Sequence, residues 1–178
     1  MAAWAEYTLA QFPQWFTPIA GEVTRHNIIG LQQIAGETDD LKLIAETGEV
    51  IISRSGRFIL CGSTYVQGSI EAGDPNFTID VMGAIVVRIP PDPVPSVGIR
   101  THELRLGQQV IPLTAGGEMQ DSGFSFSGCT ALMLPAETKI SLRVGIFADN
   151  LTQGTFLNWQ ARADSALGGA NLSIHEIS

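Results

Sequence analysis

The sequence predicts an all-β sandwich or barrel. Three observations carry that expectation: about eight to ten strand-like apolar segments, Gly and Pro turns between them, and no strong helical periodicity. No repeat of roughly 20–50 residues is visible, which argues against a propeller or solenoid. At 178 residues the chain fits one domain with a short appendage.

The appendage comes first. Trp4, Tyr7, Phe12, Trp15 and Phe16 gather five of the chain's 8 Phe, 3 Trp and 2 Tyr within its opening residues. Pro13 and Pro18 forbid a long helix, although Ala2 to Gln11 could form a short one. An aromatic-rich terminal segment without clear periodicity docks on something: its own domain, a neighbouring subunit or a larger particle. Residues 1–24 are therefore read as an N-terminal anchoring arm and 25–178 as the β domain.

Strand text then follows in order. Asn27 to Ile34 and Leu41 to Glu46 are separated by a polar turn over 36–40, and Glu49 to Arg54 gives way at Ser55-Gly56 to Arg57–Val66. In that segment Phe58, Leu60, Gly62, Thr64 and Val66 alternate with Arg57, Ile59, Cys61, Ser63 and Tyr65, as in a strand covered on both sides. Phe77 to Ile89 is rich in β-branched residues and ends at four prolines within residues 90–95, which cannot form a central strand. Ile99 to Leu113 reads as a strand pair or one bent strand, with Gly107 marking a turn or bulge. Gly123 to Leu134 places Phe124, Phe126 and Leu132 on one parity. Lys139 to Phe147 places Ile140, Leu142, Val144 and Ile146 on one face. Gly154 to Ala161 is a weaker strand candidate, and Asn171 to Ile177 closes with Leu172, Ile174 and Glu176 on one side.

Composition narrows the function classes. Charged residues make up only 16%, against about a quarter in ordinary soluble proteins. A chain so short of charge favours an oligomer, in which apolar surface goes to subunit contacts. The net charge is −8, and no stretch clusters Lys and Arg, so neither nucleic acid nor an anionic membrane is an expected partner. No apolar run is long enough for a membrane helix. Met1, with no basic residue before Arg25 and no apolar leader, leads to the expectation of a product made in a cytoplasm. Cys61 and Cys129 stand in strand-like apolar settings and are read as buried free thiols; a disulfide would need their Cα atoms within about 7 Å.

Chemistry is sparse. His26, His102 and His175 are widely separated, and no H-x-x-x-H, Cys-x-x-Cys or G-x-S-x-G spacing occurs, so no metal, cofactor or catalytic residue is assigned. His102-Glu103 and His175-Glu176 are strand neighbours, which point to opposite faces. Asp39, Asp40, Asp74, Asp80 and Asp92 read as solvated turn carboxylates, not a calcium loop.

Three features carry a family resemblance: the step Ser55-Gly56-Arg57-Phe58 between two strands, the segment Leu134 to Val144, and the short terminal strand Asn171 to Ile177. From about Asn27 to Ile177 the order of elements resembles the jelly-roll of the C1q/tumour-necrosis-factor-like superfamily, especially its divergent versions in bacteriophage virion proteins. Leu60 and Gly62 stand where that family has aromatics, and Ala136-Glu137 replaces its usual Gly-Asp turn. The resemblance implies an antiparallel jelly-roll sandwich and a homotrimer with apolar residues meeting on the axis. It also implies a structural virion protein rather than an enzyme. The expected role is a capsid decoration (cement) protein on the virion surface, bound to a major capsid protein through Trp4, Tyr7, Phe12, Trp15 and Phe16. Two alternatives stand beside it. One is a receptor-binding tip of a phage tail or fibre, with loops 90–95 and 149–154 as contacts; the other is a cellular β-sandwich that binds a small ligand.

Overall fold

The computed structural model describes residues 2–9, 14–16, 23–36, 39–71, 78–91, 100–112, 119–149, 159–161 and 169–177. Among them are thirteen strands: β1 (Trp4–Leu9), β2 (Gln14–Phe16), β3 (Val23–Asn27), β4 (Leu31–Gly36), β5 (Leu41–Ile44), β6 (Glu49–Ile52), β7 (Gly56–Glu71), β8 (Thr78–Ile89), β9 (Arg100–Pro112), β10 (Met119–Leu134), β11 (Thr138–Asp149), β12 (Trp159–Ala161) and β13 (Asn171–Ile177). They form two sheets of antiparallel neighbours. Sheet I runs β4-β1-β13-β7-β10, and β12 with β2 continues the β13 side of β7 beyond Ser63. Sheet II runs β5-β6-β11-β8-β9, with β3 on the β6 side of β11.

Alternation decides which face of each strand is covered. Ile140, Leu142, Val144 and Ile146 of β11 are fully buried, as the sequence predicts. Val81, Ile85 and Val87 of β8 lie beside them in sheet II, and Phe58, Leu60 and Val66 of β7 with Leu172 and Ile174 of β13 face them from sheet I, in one core between the sheets. Each such side chain contributes about 1.5–3 kcal/mol by leaving water. Glu176 shares the inward parity of Leu172 at the end of β13, where Ala3 N–H and Arg54 donate to its carboxylate.

The start of the chain docks on its own domain, one of the outcomes the sequence leaves open. Residues 4–9 are a strand rather than a short helix: β1 pairs with β13 on one edge and β4 on the other. The physical reason is a period of two, since Ala3, Ala5, Tyr7 and Leu9 are buried while Trp4, Glu6 and Thr8 take the other face. Backbone bonds at both ends fasten the strand, Leu9 N–H to Ala170 O at 2.9 Å and Glu176 N–H to Ala3 O at 2.7 Å.

Asn27 to Ile34 also differs, because it is two strands in two sheets. Gly30 takes φ of 72° between β3 and β4 and lets the chain cross from sheet II to sheet I. Glu137 takes a left-handed φ of 63°, a conformation that favours glycine, at the turn where the family pattern would have Gly-Asp.

The bend expected at Gly107 is a bulge inside one strand. Gly83 faces Gly107 but the next residue, Ala84, faces Arg105, so Leu106 is the extra residue. Gly107 has no strained φ; its value is space, since a Cβ there would lie 2.5 Å from Cδ1 of Phe126. Gly107→Ala is therefore expected to lower stability by about 1–3 kcal/mol through overpacking. Urea unfolding checks it, and an unchanged midpoint would show that the Phe126 ring is free to move aside.

Candidate assembly surface

The register of sheet I builds its outer face row by row. Met133, Arg57 and Ile177 lie side by side, followed by Ala131, Ile59, His175 and Trp4. The next rows are Cys129, Cys61, Ser173 and Glu6, then Ser127, Ser63, Asn171 and Thr8. In these four rows, Arg57 and Glu6 are the charged side chains. Met133 is 72% exposed, and Ile34, beside the register shift between β1 and β4, is 61% exposed.

The outer face of sheet II has the opposite character. Arg25, Asp80, Arg88, Glu103, Arg105, Lys139 and Arg143 project there, together with a buried Glu49 held by Arg88 at 2.8 Å and Lys139 at 3.6 Å. Burial lowers the pKa of Arg143, as do the nearby Arg88 and Arg25, while Glu103 raises it. These four rows of sheet I are thus nearly neutral, whereas the outer face of sheet II is dense in charge.

In the middle of the neutral face Cys61 and Cys129 form a disulfide. This corrects the expectation of buried free thiols. The two residues are direct partners across β7 and β10 with Cα atoms 4.1 Å apart, and Cys129 is exposed. Beside them the Trp4 and His175 rings stack with centroids 5.9 Å apart.

Of the five aromatics expected to act as an anchor, Trp4 and Tyr7 take opposite faces of β1. Trp4 is half-buried on the outer face, whereas Tyr7 points inward, 1% exposed, with its Oη 3.5 Å from the Leu41 carbonyl. Trp15 and Phe16 pair through their backbone with Gln160 and Trp159, and Phe12 lies outside the described residues. His26 is lowered in pKa by burial, and no group of three metal-binding side chains occurs among the described residues. Asp80 is not in a turn but inside β8, where Gln108 donates to it; Asp40 pairs with Arg54. Asp74 and Asp92 lie outside the described residues, as does most of loops 90–95 and 149–154.

No protein-family model and no curated protein matches the sequence. Solved structures do match in fold. Murine APRIL superposes with a TM-score of 0.50 at 10% identity, over 99% of this chain and 100% of that one. The globular domain of the zebrafish complement 1qA protein gives a TM-score of 0.52 at 11% identity, over 98% and 96% of the two chains. The fold is therefore an all-β, two-sheet antiparallel sandwich of the TNF/C1q-like jelly-roll type. At such identities the likeness speaks for the fold alone.

Proposed function

We propose that this chain is a non-enzymatic unit that assembles with copies of itself as a homotrimer through the outer face of sheet I, and that the trimer decorates a virion capsid. The observation that carries the assembly is the segregation of charge. The patch between the Arg57 and Ser63 rows, whose charges are Arg57 and Glu6, can be covered with little cost of desolvating ions, and it offers Met133, Ile59 and Trp4 to a partner. Identical copies suit such a face because it carries no strong charge of its own to repel its image. The low charge fraction and the shared fold of APRIL and C1q agree with this reading. The virion role rests on the sequence resemblance to phage jelly-rolls. With β1 built into sheet I, attachment to a major capsid protein would fall to other parts of the trimer than Tyr7.

A second reading, a receptor-binding tip, is favoured by the charged face of sheet II, which assembly through sheet I leaves outward.

Light scattering tests the assembly. A native mass near three times the 19.0 kDa of one chain is expected, falling towards one chain when Ala131→Glu places a charge in the centre of the face. A monomeric parent protein would overturn the proposal. Copy number per particle separates the two virion roles, because a shell component is abundant and a tail tip is not.

A further inference from the structure

The outer face of sheet II contains a groove of about 200 Å³, between β3, β11, β8 and β9. Its floor follows from Gly145. A Cβ at that position would collide with the Met82 thioether, so the glycine lets Met82 lie flat across β11. Phe147 and Val23 continue this apolar side, and Arg25 rises from β3 beside them.

The opposite wall is a product of the bulge. Residues three apart in a regular strand point to opposite faces. The extra residue at Leu106 puts Arg105 and Gln108 on the same face, and they bond to each other. Arg105 Nη1 donates to Gln108 Oε1 at 3.0 Å, and Gln108 Nε2 donates to Asp80 Oδ2 at 2.5 Å. The other carboxylate oxygen of Asp80 is buried and has no hydrogen-bond partner among the described residues. On the far wall Arg25 Nε reaches Glu103 only at 3.7 Å.

The charge balance is local and unexpected. Among the lining residues Arg25 and Arg105 stand against Asp80, a positive surplus in a chain of net charge −8. A guanidinium surplus selects a carboxylate or phosphate. Asp80 adds a demand for hydroxyl or amide donors, which a fully ionised anion such as sulfate does not supply. The Met82 and Phe147 floor asks for a face of C–H groups. The volume is below the roughly 300–1,000 Å³ of sites for drug-sized ligands, so one ring is the natural occupant.

We infer that this groove binds a single carboxylate-bearing sugar residue, of the sialic or uronic acid class. Its carboxylate lies at Arg25, away from Asp80; its ring rests on Met82 and Phe147; its hydroxyl groups meet the Arg105–Gln108–Asp80 chain. The assignment holds whether the protein sits on a capsid or a tail, and it does not depend on the trimer.

Calorimetric titration of the intact protein with N-acetylneuraminic acid and glucuronic acid tests it, with galactose and inorganic phosphate in parallel. At least one acidic sugar is expected to bind at millimolar concentration or below, and galactose much more weakly. Arg25→Gln and Gln108→Ala, both on the exposed face, are each expected to weaken that binding about tenfold in a protein that still unfolds cooperatively. No acidic sugar binding at all would overturn the inference. So would equal binding of phosphate, which would mark a plain anion site, or unchanged affinity in both variants, which would place the binding elsewhere.

Discussion

Replacing Tyr7 with alanine is expected to cost about 3–5 kcal/mol of folding stability, the usual loss when a buried aromatic leaves a cavity. The expectation follows from the position of the side chain, 1% exposed within the core of the sandwich and on the inward parity of a strand paired on both edges. Were residues 4–9 an arm used only for attachment, the same change would weaken partner binding and leave the unfolding midpoint where it was. Denaturant unfolding of the isolated protein separates the two. Tyr7→Phe keeps the packing and gives up only the long contact from Oη to Leu41 O at 3.5 Å, so its cost should be about 1 kcal/mol or less.

The phenol also predicts an alkaline limit. Burial pushes the Tyr7 pKa up to about 12, above its ordinary value of 10.0. Above pH 10 the unfolded chain releases this proton while the folded one keeps it. The unfolded state then binds fewer protons, and stability falls as pH rises from 10 towards 12. Tyr7→Phe should lose less stability over that interval than the parent.

The second large effect belongs to the disulfide. Cys61 and Cys129 are 68 residues apart, and closing a loop of that length in the unfolded chain corresponds to about 4 kcal/mol in the chain-entropy account. The double variant Cys61→Ser and Cys129→Ser should therefore unfold at markedly lower denaturant concentration. The parent protein with reductant should do the same. Intact mass with and without reduction gives the direct check, and two titratable thiols in the unreduced native protein would show that the pair does not form.

These outcomes also mark how far the sequence could be read. Strands with strict alternation of large residues were legible: Ile140 to Ile146 and Leu172 to Ile174 take their expected inward faces. Gly107 was legible as a break in regularity. The first strand was not, because Ala3 and Ala5, which complete the alternation with Tyr7 and Leu9, are too small to signal a core face. The pairing of Cys61 with Cys129 depends on the register between β7 and β10, which no local pattern near either cysteine encodes. The groove was hidden for a similar reason. Val23, Asp80, Gln108 and Phe147 come from four strands, and only their pairing brings them side by side. The bulge that aims Arg105 and Gln108 together could be suspected from Gly107, but its effect on facing needed the partner strand.

The place of β13 has a consequence for how the protein is made. This late strand lies between β1 and β7, so two early strands each wait for the same distant segment. While a ribosome delivers the intervening chain, on the order of ten seconds at ordinary elongation rates, β1 and β7 present unpaired edges. Open edges of this kind recruit other nascent chains on the same message. Sheet I thus folds as a clasp that shuts after residue 177 has left the exit tunnel. Its yield in a cell depends on what shields those two edges until then.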